Sequence, residues 1–315
     1  MAELIASWPA PLLYGLGAVW AVLVIATGVV TVLAHRGAAN GAELVARTKT
    51  WWWIVAPISA ALLLGATVTA VLFALVSFLA LREYLSIIPV RQVDRTAILL
   101  AYLAIPLQYW FVYDDWYGMF SIFIPVYATA AIAFRLVLAG EAKGFIRSAG
   151  TLQWGLFLTV YNLSHVAFLM QLDMAVPLPA GGAGLLLFIL VIVSLNDVAQ
   201  YFWGKLFGRR AIVPKVSPKK TMEGFVGGVA TSMVVAALLA PWLTPFGLIE
   251  AAAVGAFLAF LGFVGDVTVS AVKRDLGIKD SGSILPGHGG ILDRLDSLVF
   301  AAPVFLHYVR YFYGA

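Results

Sequence analysis

Long apolar runs separated by short polar segments dominate this sequence of 315 residues. A helix needs roughly 20 apolar residues to cross a hydrocarbon core about 30 Å thick. Eight runs meet that requirement and are clearly separated: Ala10–Leu33, Thr96–Tyr113, Tyr117–Leu138, Thr151–Leu172, Gly184–Leu206, Thr221–Leu243, Gly247–Ser270 and Leu295–Tyr313. The pattern therefore predicts an all-α, polytopic membrane protein built as a helical bundle.

The uncharged stretch Trp51–Leu81 is harder to divide. Its length favours one overlong tilted helix, whereas the charge pattern favours a hairpin of two short helices. With a hairpin, nineteen of the 20 Lys and Arg residues lie on one side of the membrane, and only Arg310 lies near the other. A single helix would strand Arg36, Arg47 and Lys49 outside, against the positive-inside rule. We therefore expect ten spans with the N-terminus outside, and nine as the alternative.

The composition excludes several classes of site. Hydrophobic residues make up 62% of the chain and charged residues 11%, with a formal net charge of +4. Cysteine is absent, which rules out disulfides, thiolate metal sites and Cys nucleophiles. The basic loops are short and hold few aromatic residues, so a nucleic acid is not an expected partner. The early segment carries Glu3 and no Lys or Arg, and we expect its apolar run to be a retained helix rather than a signal peptide.

Acids, bases and glycines are interleaved before the last apolar run. In a helix, Asp266, Ser270 and Lys273 are spaced i, i+4 and i+7 and share one face. Asp293 and Asp296 follow at i, i+3. The positive-inside rule explains basic residues in a cytoplasmic loop but not acidic ones, so the acids here indicate a functional site. Several carboxylates near the membrane boundary suit Mg²⁺, which completes its coordination with water and phosphate oxygens.

Glycines surround His288 in the same loop, at positions 287, 289 and 290. They allow backbone N–H groups to approach an anion, and the N-terminus of the last helix lies just beyond. His288 could donate to a phosphate or only hold the turn. The loop as a whole predicts a site for a polyphosphate and its metal.

Asp197 lies deep in an apolar span, where an ionisable group is costly unless it is paired or faces a wet cavity. Tyr201 and Lys205 follow at i+4 and i+8 on the same stripe. The alternative is a buried Asp tied to a neighbouring helix. If Asp197 serves the site, it contacts metal, nucleotide or a loop lysine, and the sequence does not choose among these.

These segments resemble the CTP:phosphatidate cytidylyltransferases, also called CDP-diacylglycerol synthases. The run Ser270–Asp296 is similar to the family signature, and Ser217–Gly224 to its Ser-Pro-Lys-Lys-Thr-x-Glu-Gly loop. Asn196–Gly208 looks like the preceding segment, and Arg47–Tyr84 looks like the family's opening short hairpin. Val269 and Gln200 depart from the family pattern, which bears on the number of metal ligands and on lipid preference.

The resemblance implies attack by the phosphate of phosphatidate on the α-phosphorus of CTP, in phospholipid biosynthesis, with one or two Mg²⁺ ions as cofactor. It implies roles for three groups of residues in this sequence. The expected metal ligands are Asp266, Asp293 and Asp296. The expected catalytic residues are Lys273, Arg274, Lys279, Asp280, His288 and Arg294. The expected substrate-binding residues are Asp197, Tyr201, Ser217, Lys219, Lys220, Glu223, Ser270, Gly289 and Gly290.

The chain is expected to divide into an added N-terminal helix and cytoplasmic loop (1–46), further transmembrane helices (47–180) and a catalytic region (181–315). The expected location is a bacterial plasma or inner membrane with the site facing the cytoplasm. CTP, phosphatidate and membrane lipids are the expected partners, and a homodimer is left open. Two alternatives remain: a CTP-dependent transferase acting on an ether-lipid analogue or a polyprenol, and an anion- or proton-coupled transporter.

Overall fold

The computed structural model describes residues 8–37, 41–282 and 289–315. Helices dominate it, with an antiparallel pair of short strands between the seventh and eighth helices. The helices are α1 (Ala10–His35), α2 (Gly41–Leu64), α3 (Ala66–Ile87), α4 (Arg95–Tyr113), α5 (Tyr117–Leu138), α6 (145–168), α7 (Gly181–Phe207), α8 (Met222–Leu243), α9 (Leu248–Asp275), α10 (Leu292–Leu295) and α11 (Leu298–Tyr313). The strands are β1 (Ala211–Val213) and β2 (Ser217–Thr221).

Local irregularities interrupt this pattern. Single 3₁₀ turns precede α4 and follow α6, at Gln92–Asp94 and Leu169–Gln171. The π-helical segments Phe123–Ala128 and Phe157–Tyr161 lie inside α5 and α6. All of these are short, as is usual for such turns, and the chain direction continues through both π segments.

Seven helices within the described residues are long and apolar enough to cross a membrane: α1, α3, α4 with its preceding turn, α5, α7, α8 and α9. Helices α2, α6 and α11 are not among these seven: α11 is shorter, with 16 residues, and no stretch of α2 or α6 long enough to cross is as apolar as those of the seven. The chain is thus a multi-pass membrane protein. Of the seven, α7 is the most enclosed by other helices and α1 the least, so the helix that carries Asp197 lies near the centre.

The ambiguous apolar stretch is divided into two helices at Gly65. This glycine has φ 101°, a conformation that residues with a side chain rarely adopt. Beyond the break, the Thr69 hydroxyl donates at 3.1 Å to the Ala61 carbonyl, which also accepts the Gly65 N–H at 3.0 Å, and so links α3 to the end of α2. Helix α2 ends beside Trp8, whose indole donates to the Leu63 carbonyl at 2.9 Å. Helix α3 then runs back to Glu83, which contacts the loop before α10, so the hairpin expectation is confirmed.

Helices α7, α8 and α9 form the body that carries the predicted chemistry. Small residues let their backbones come close: a Cβ at Gly255 of α9 would lie 2.6 Å from the Ser232 carbonyl of α8. A Cβ at Gly265 would lie 2.1 Å from the Asp296 carbonyl. Asn196 of α7 donates to the Ala259 carbonyl of α9 at 3.2 Å. These contacts bring acids of α7 and α9 and the start of α11 together at one end of the bundle.

The strands form a hairpin that the sequence analysis did not predict. Ala211 pairs with Thr221, and Val213 pairs with Ser217. Glu223, in the first turn of α8, accepts hydrogen bonds from the backbone N–H groups of Arg209 at 2.9 Å and Arg210 at 3.2 Å. The hairpin is therefore fastened to α8, and its second strand leads directly into that helix.

Candidate active site

Three carboxylates from different elements meet at this end of the bundle. Asp197 lies on α7, Asp266 on α9, and Asp296 between α10 and α11. The charges of Asp266 and Asp197 both act on Asp296, and the charge of Asp266 acts on Asp197. Ser297 joins two of them, because its hydroxyl donates to Asp197 Oδ2 at 2.8 Å and its backbone N–H donates to Asp296 Oδ1 at 2.8 Å. Within the described residues, Asp197 Oδ1 is buried and has no hydrogen-bond partner. We call these three residues the carboxylate cluster.

Lys220 supplies the cation nearest to the carboxylate cluster. Its Nζ lies 2.5 Å from Asp266 Oδ2 and 3.2 Å from Gln200 Oε1. Burial by itself lowers the pKa of Lys220, but the charges of Asp266 and Asp197 outweigh it, so the pKa is raised and the ammonium stays charged. Lys219, the preceding residue of β2, is exposed. The two lysines, which the sequence treats alike, thus differ in exposure and in partners.

A cavity of about 110 Å³ opens beside Lys220, between α7, β2 and the start of α8. Asp197 and Lys220 line it on the charged side, and Phe225 contributes an aromatic wall. Its lining within the described part of the chain is Asp197, Gln200, Tyr201, Ser217, Lys219, Lys220, Thr221, Gly224 and Phe225. The structure therefore brings together five of the predicted substrate-binding residues, namely Asp197, Tyr201, Ser217, Lys219 and Lys220.

A second lysine–carboxylate pair joins the last turn of α9 to α10. Lys273 Nζ is 2.5 Å from Asp293 Oδ1. Asp293 Oδ2 accepts from the backbone N–H groups of Ser281 at 2.9 Å and Gly290 at 3.0 Å. Burial raises the pKa of Asp293, but the hydrogen bonds from Lys273 and these N–H groups outweigh it, and the pKa lies below its ordinary value. Both oxygens of Asp293 are therefore engaged.

The two pairs belong to one connected region. Asp266, Ser270 and Lys273 share a face of α9 as predicted, and the Ser270 hydroxyl donates to Asp266 Oδ1 at 3.3 Å. The charge of Lys273 also acts on Asp296. Asp266 and Asp293 thus take different partners within a continuous polar region at the end of α9.

Other predicted residues have structural contacts or face outward. Arg274 donates to the carbonyls of Val216 at 3.2 Å and Ile278 at 2.9 Å, which ties α9 to the β-hairpin. Gly289 has φ 83°, and Gly290 is buried. Lys279, Asp280 and Arg294 are also exposed, and of these the charge of Arg294 acts on Asp197 and Asp296. The predicted role of His288 lies outside the described residues.

Several residues at the site were not predicted. Ser297 binds two acids of the carboxylate cluster, and Gln200, noted only as a departure from the family pattern, accepts from Lys220. Glu83 of α3 is 4% exposed and accepts from the Ser281 hydroxyl at 2.5 Å and from the Ile291 N–H at 2.9 Å and the Leu292 N–H at 3.0 Å. Its sequence signal is an acid at the end of an apolar helix.

Similar sequences identify the family of this chain. The profile of the cytidylyltransferase family matches residues 45–312. The chain is 43% identical to the uncharacterized protein YnbB of Escherichia coli K12 over 297 residues, which is 94% of this chain and 97% of that protein.

Two further relatives carry the name phosphatidate cytidylyltransferase. The chain is 33% identical to that of Synechocystis over 269 residues, covering 79% of this chain and 90% of that protein. It is 46% identical to that of Aquifex aeolicus over 121 residues, which is 38% of this chain and 45% of the relative. The family match spans most of the sequence, including every residue of the carboxylate cluster and both lysine–carboxylate pairs. The chain belongs to the cytidylyltransferase family and is a nucleotidyltransferase enzyme of the membrane.

Proposed function

We propose that this enzyme transfers the cytidylyl group of CTP to the phosphate of phosphatidate, giving CDP-diacylglycerol and diphosphate. The observation that carries the proposal is the carboxylate cluster with Lys220 turned into it, beside a cavity at the end of a membrane-embedded bundle. The relatives named for this reaction add support.

The chemistry is a displacement at phosphorus. An oxygen of the lipid phosphate forms a bond to the α-phosphorus of CTP, and the bond from that phosphorus to the α,β-bridging oxygen breaks, so that diphosphate leaves with the electron pair. The attacking oxygen is already anionic and needs no strong base. The main task is to hold two polyanions together and to stabilise the leaving group, which favours positioned cations.

The carboxylate cluster suits Mg²⁺ as the cofactor. No group of three or more His, Asp or Glu side chains in the described ranges is spaced to hold one metal ion. Mg²⁺, however, commonly takes one or two protein carboxylates and leaves its other positions to water and phosphate oxygens. Among the described residues, Asp197 has a buried oxygen without a partner, and Asp266 has only Lys220 and Ser270 against its oxygens. We assign Asp266 as the principal ligand, with Asp197 and Asp296 beside it.

When bound, Mg²⁺ would neutralise charge on the triphosphate and the leaving diphosphate. Lys220 would then pass from Asp266 to a phosphate oxygen, because a metal at Asp266 competes for the carboxylate that holds the ammonium. Lys219, at the exposed rim of the cavity, would add a second positive charge. Asp293 would act by holding Lys273 rather than by binding metal, since two backbone N–H groups fix its Oδ2, whereas the described contacts of Asp266 are with side chains, which can move away.

The membrane arrangement is part of the proposal: ten spans, the N-terminus outside, and the carboxylate cluster at the cytoplasmic face of a bacterial plasma membrane. A cysteine introduced at Asn40 of this cysteine-free chain tests it directly. We expect that cysteine to resist a membrane-impermeant thiol reagent in intact cells and to react after the cells are opened. Labelling in intact cells would contradict the arrangement.

A panel of acceptors tests the reaction. Purified enzyme in detergent receives CTP labelled in the α-phosphate, Mg²⁺ and one of three lipids: diacyl phosphatidate, its diether analogue or a polyprenyl phosphate. We expect labelled lipid with diacyl phosphatidate at the highest kcat/KM. Transfer only to another acceptor would replace the substrate and keep the reaction class, whereas no transfer to any lipid would refute the proposed function.

A further inference from the structure

Glu83 is a buried carboxylate that the proposed chemistry does not use. It lies near the end of α3, outside the region with the family signature, and is 4% exposed. Within the described residues no Lys or Arg forms a salt bridge with it, and its partners are two backbone N–H groups and one hydroxyl. A buried carboxylate without a cation is costly unless its oxygens are well satisfied. The direction of these donors indicates what Glu83 does.

The donors all lie in the connection between α9 and α10 or at the start of α10, the short helix that carries Asp293. The N–H groups of Ile291 and Leu292 point at Glu83 and begin the short helix α10, in which Asp293 is the second residue. The first N–H groups of a helix have no partner inside the helix, and an acceptor that reaches them fixes where the helix starts. Glu83 therefore acts as an N-terminal acceptor supplied by a distant helix.

Ser281 connects Glu83 directly to Asp293. Its hydroxyl donates to Glu83 Oε1 at 2.5 Å, and its backbone N–H donates to Asp293 Oδ2 at 2.9 Å. Gly290 lies between the same two carboxylates: its N–H donates to Asp293, and a Cβ there would lie 2.0 Å from Glu83 Oε1. A displacement of Glu83 would therefore move Asp293 and the Lys273 ammonium that it holds.

Helix α3 is a firm support for this carboxylate. The neighbouring Tyr84 is buried, and its hydroxyl donates to the Thr151 carbonyl of α6 at 3.1 Å. A Cβ at Gly155 would lie 2.5 Å from the Tyr84 ring, so the two helices are in close contact there. Two consecutive residues of α3 thus bind different elements: Tyr84 contacts α6, and Glu83 contacts the start of α10.

We propose that Glu83 is a positioning residue for cytidylyl transfer: it fixes the start of α10, and through Asp293 it places Lys273 in the site. The inference rests on the proposed function. It assigns to the N-terminal helices a direct part in the geometry of the reaction. An apolar residue of similar size would avoid the desolvation of a carboxylate, but it could not accept the N–H groups of Ile291 and Leu292.

The variant Glu83→Gln tests the proposal, with Glu250→Gln as its matched control. Glu250 is also a carboxylate held by neutral donors, the hydroxyls of Tyr308 at 2.7 Å and Tyr313 at 2.5 Å, but it lies in the first turn of α9, at the opposite end of the bundle. Both substitutions keep the side-chain shape and replace an accepting oxygen by an amide. Their effects on stability should be similar, and their effects on the reaction should differ.

The readouts are kcat and KM for CTP at saturating Mg²⁺, and the thermal midpoint of unfolding. We expect Glu83→Gln to lower kcat by about tenfold to a hundredfold, because small misplacements of a reacting group have effects of that size. The KM for CTP should change less than about threefold, because Glu83 does not line the cavity beside Lys220. Glu250→Gln should keep kcat within about twofold, with a similar loss of thermal stability.

A wild-type kcat in folded Glu83→Gln, or an equal loss of kcat in Glu250→Gln, would overturn the inference. If Glu83→Gln does not fold, Ser281→Ala decides, since it removes one donor and leaves the two backbone bonds. A several-fold lower kcat in Ser281→Ala supports the role of Glu83, and an unchanged kcat refutes it. An inactive wild type would instead refute the proposed function, which separates the two failures.

Discussion

The two lysine–aspartate pairs of the site have the same separation and different surroundings. Lys220 and Asp266 are 2.5 Å apart, as are Lys273 and Asp293. Around the second pair every carboxylate oxygen is used, one by the ammonium and the other by two backbone N–H groups. Around the first pair two more acids crowd the same space, and Asp197 keeps a buried oxygen without a partner within the described residues.

This difference indicates that the distance in a salt bridge does not define its role. The Lys273–Asp293 pair closes a loop, and two backbone N–H groups fix its second carboxylate oxygen, which is typical of a structural pair. The Lys220–Asp266 pair has a surplus of negative charge and an adjoining cavity, so a further cation can displace the ammonium. We interpret the Lys220–Asp266 pair as the reacting pair and the Lys273–Asp293 pair as the pair that positions it. The following variants test that interpretation.

Asp266→Asn should have the largest effect on turnover. The substitution removes the principal proposed metal ligand, and we expect product formation to fall by about 10³-fold, in the range seen when a main electrostatic group is lost. The thermal midpoint should stay the same or rise, because one of three mutually repelling acids becomes neutral while Lys220 keeps the charges of Asp197 and Asp296 near it. Initial rates and thermal unfolding measured on the same preparation check both. Turnover near the wild-type rate would contradict the metal assignment.

Lys220→Met should lower turnover by about 10²-fold, since a charge-stabilising group at the phosphates is lost. It should also change how the substrate-free protein responds to metal. Without the ammonium at Asp266, Mg²⁺ should raise the thermal midpoint at a lower concentration than in the wild type. Lys215→Met, an exposed lysine of the same hairpin, is the control and should respond as the wild type does. Equal Mg²⁺ responses in all three proteins would refute competition between Lys220 and metal.

Asp293→Asn should affect stability more than any variant of the carboxylate cluster. It leaves Lys273 buried without its counter-charge and weakens the acceptor of two N–H groups, which costs about 3 kcal/mol or more. We expect a clearly lower thermal midpoint together with a loss of turnover. A midpoint equal to that of Asp266→Asn would show that the two pairs do not differ as described.

The smallest effects should come from two serines. Ser297→Ala removes a hydrogen bond of 2.8 Å to Asp197, and Ser281→Ala removes one of 2.5 Å to Glu83. Each should cost about 1 kcal/mol of stability. Ser297→Ala should raise the Mg²⁺ concentration needed for half-maximal activity, whereas Ser281→Ala should lower kcat at saturating Mg²⁺ with an unchanged Mg²⁺ midpoint. Titration of Mg²⁺ against initial rate separates them, and identical curves would weaken the comparison.

Local patterns in the sequence predicted much of this arrangement. Charge asymmetry predicted the hairpin of α2 and α3, and helical spacing placed Asp266, Ser270 and Lys273 on one face. Both depend on spacing along a single element, which sequence displays directly. The predicted set also included every member of the carboxylate cluster.

Long-range contacts were beyond that reasoning. The difference in exposure between Lys219 and Lys220 depends on a β-hairpin whose basic, proline-containing sequence shows no apolar alternation. The grouping of acids and the family resemblance made Asp293 an expected metal ligand, and its contacts with Lys273 and two loop N–H groups are not visible in the spacing. The contact of Glu83 with Leu292 joins residues that are 209 positions apart, and no spacing rule reaches that far.

The position of the label in the product tests the central claim most directly. Wild-type enzyme is supplied with phosphatidate, Mg²⁺ and CTP labelled either in the α-phosphate or in the γ-phosphate, and the lipid-soluble label is counted. Cytidylyl transfer predicts labelled lipid from α-labelled CTP alone, with the γ-label recovered as diphosphate. The account would be contradicted if γ-labelled CTP labelled the lipid, or if neither nucleotide did.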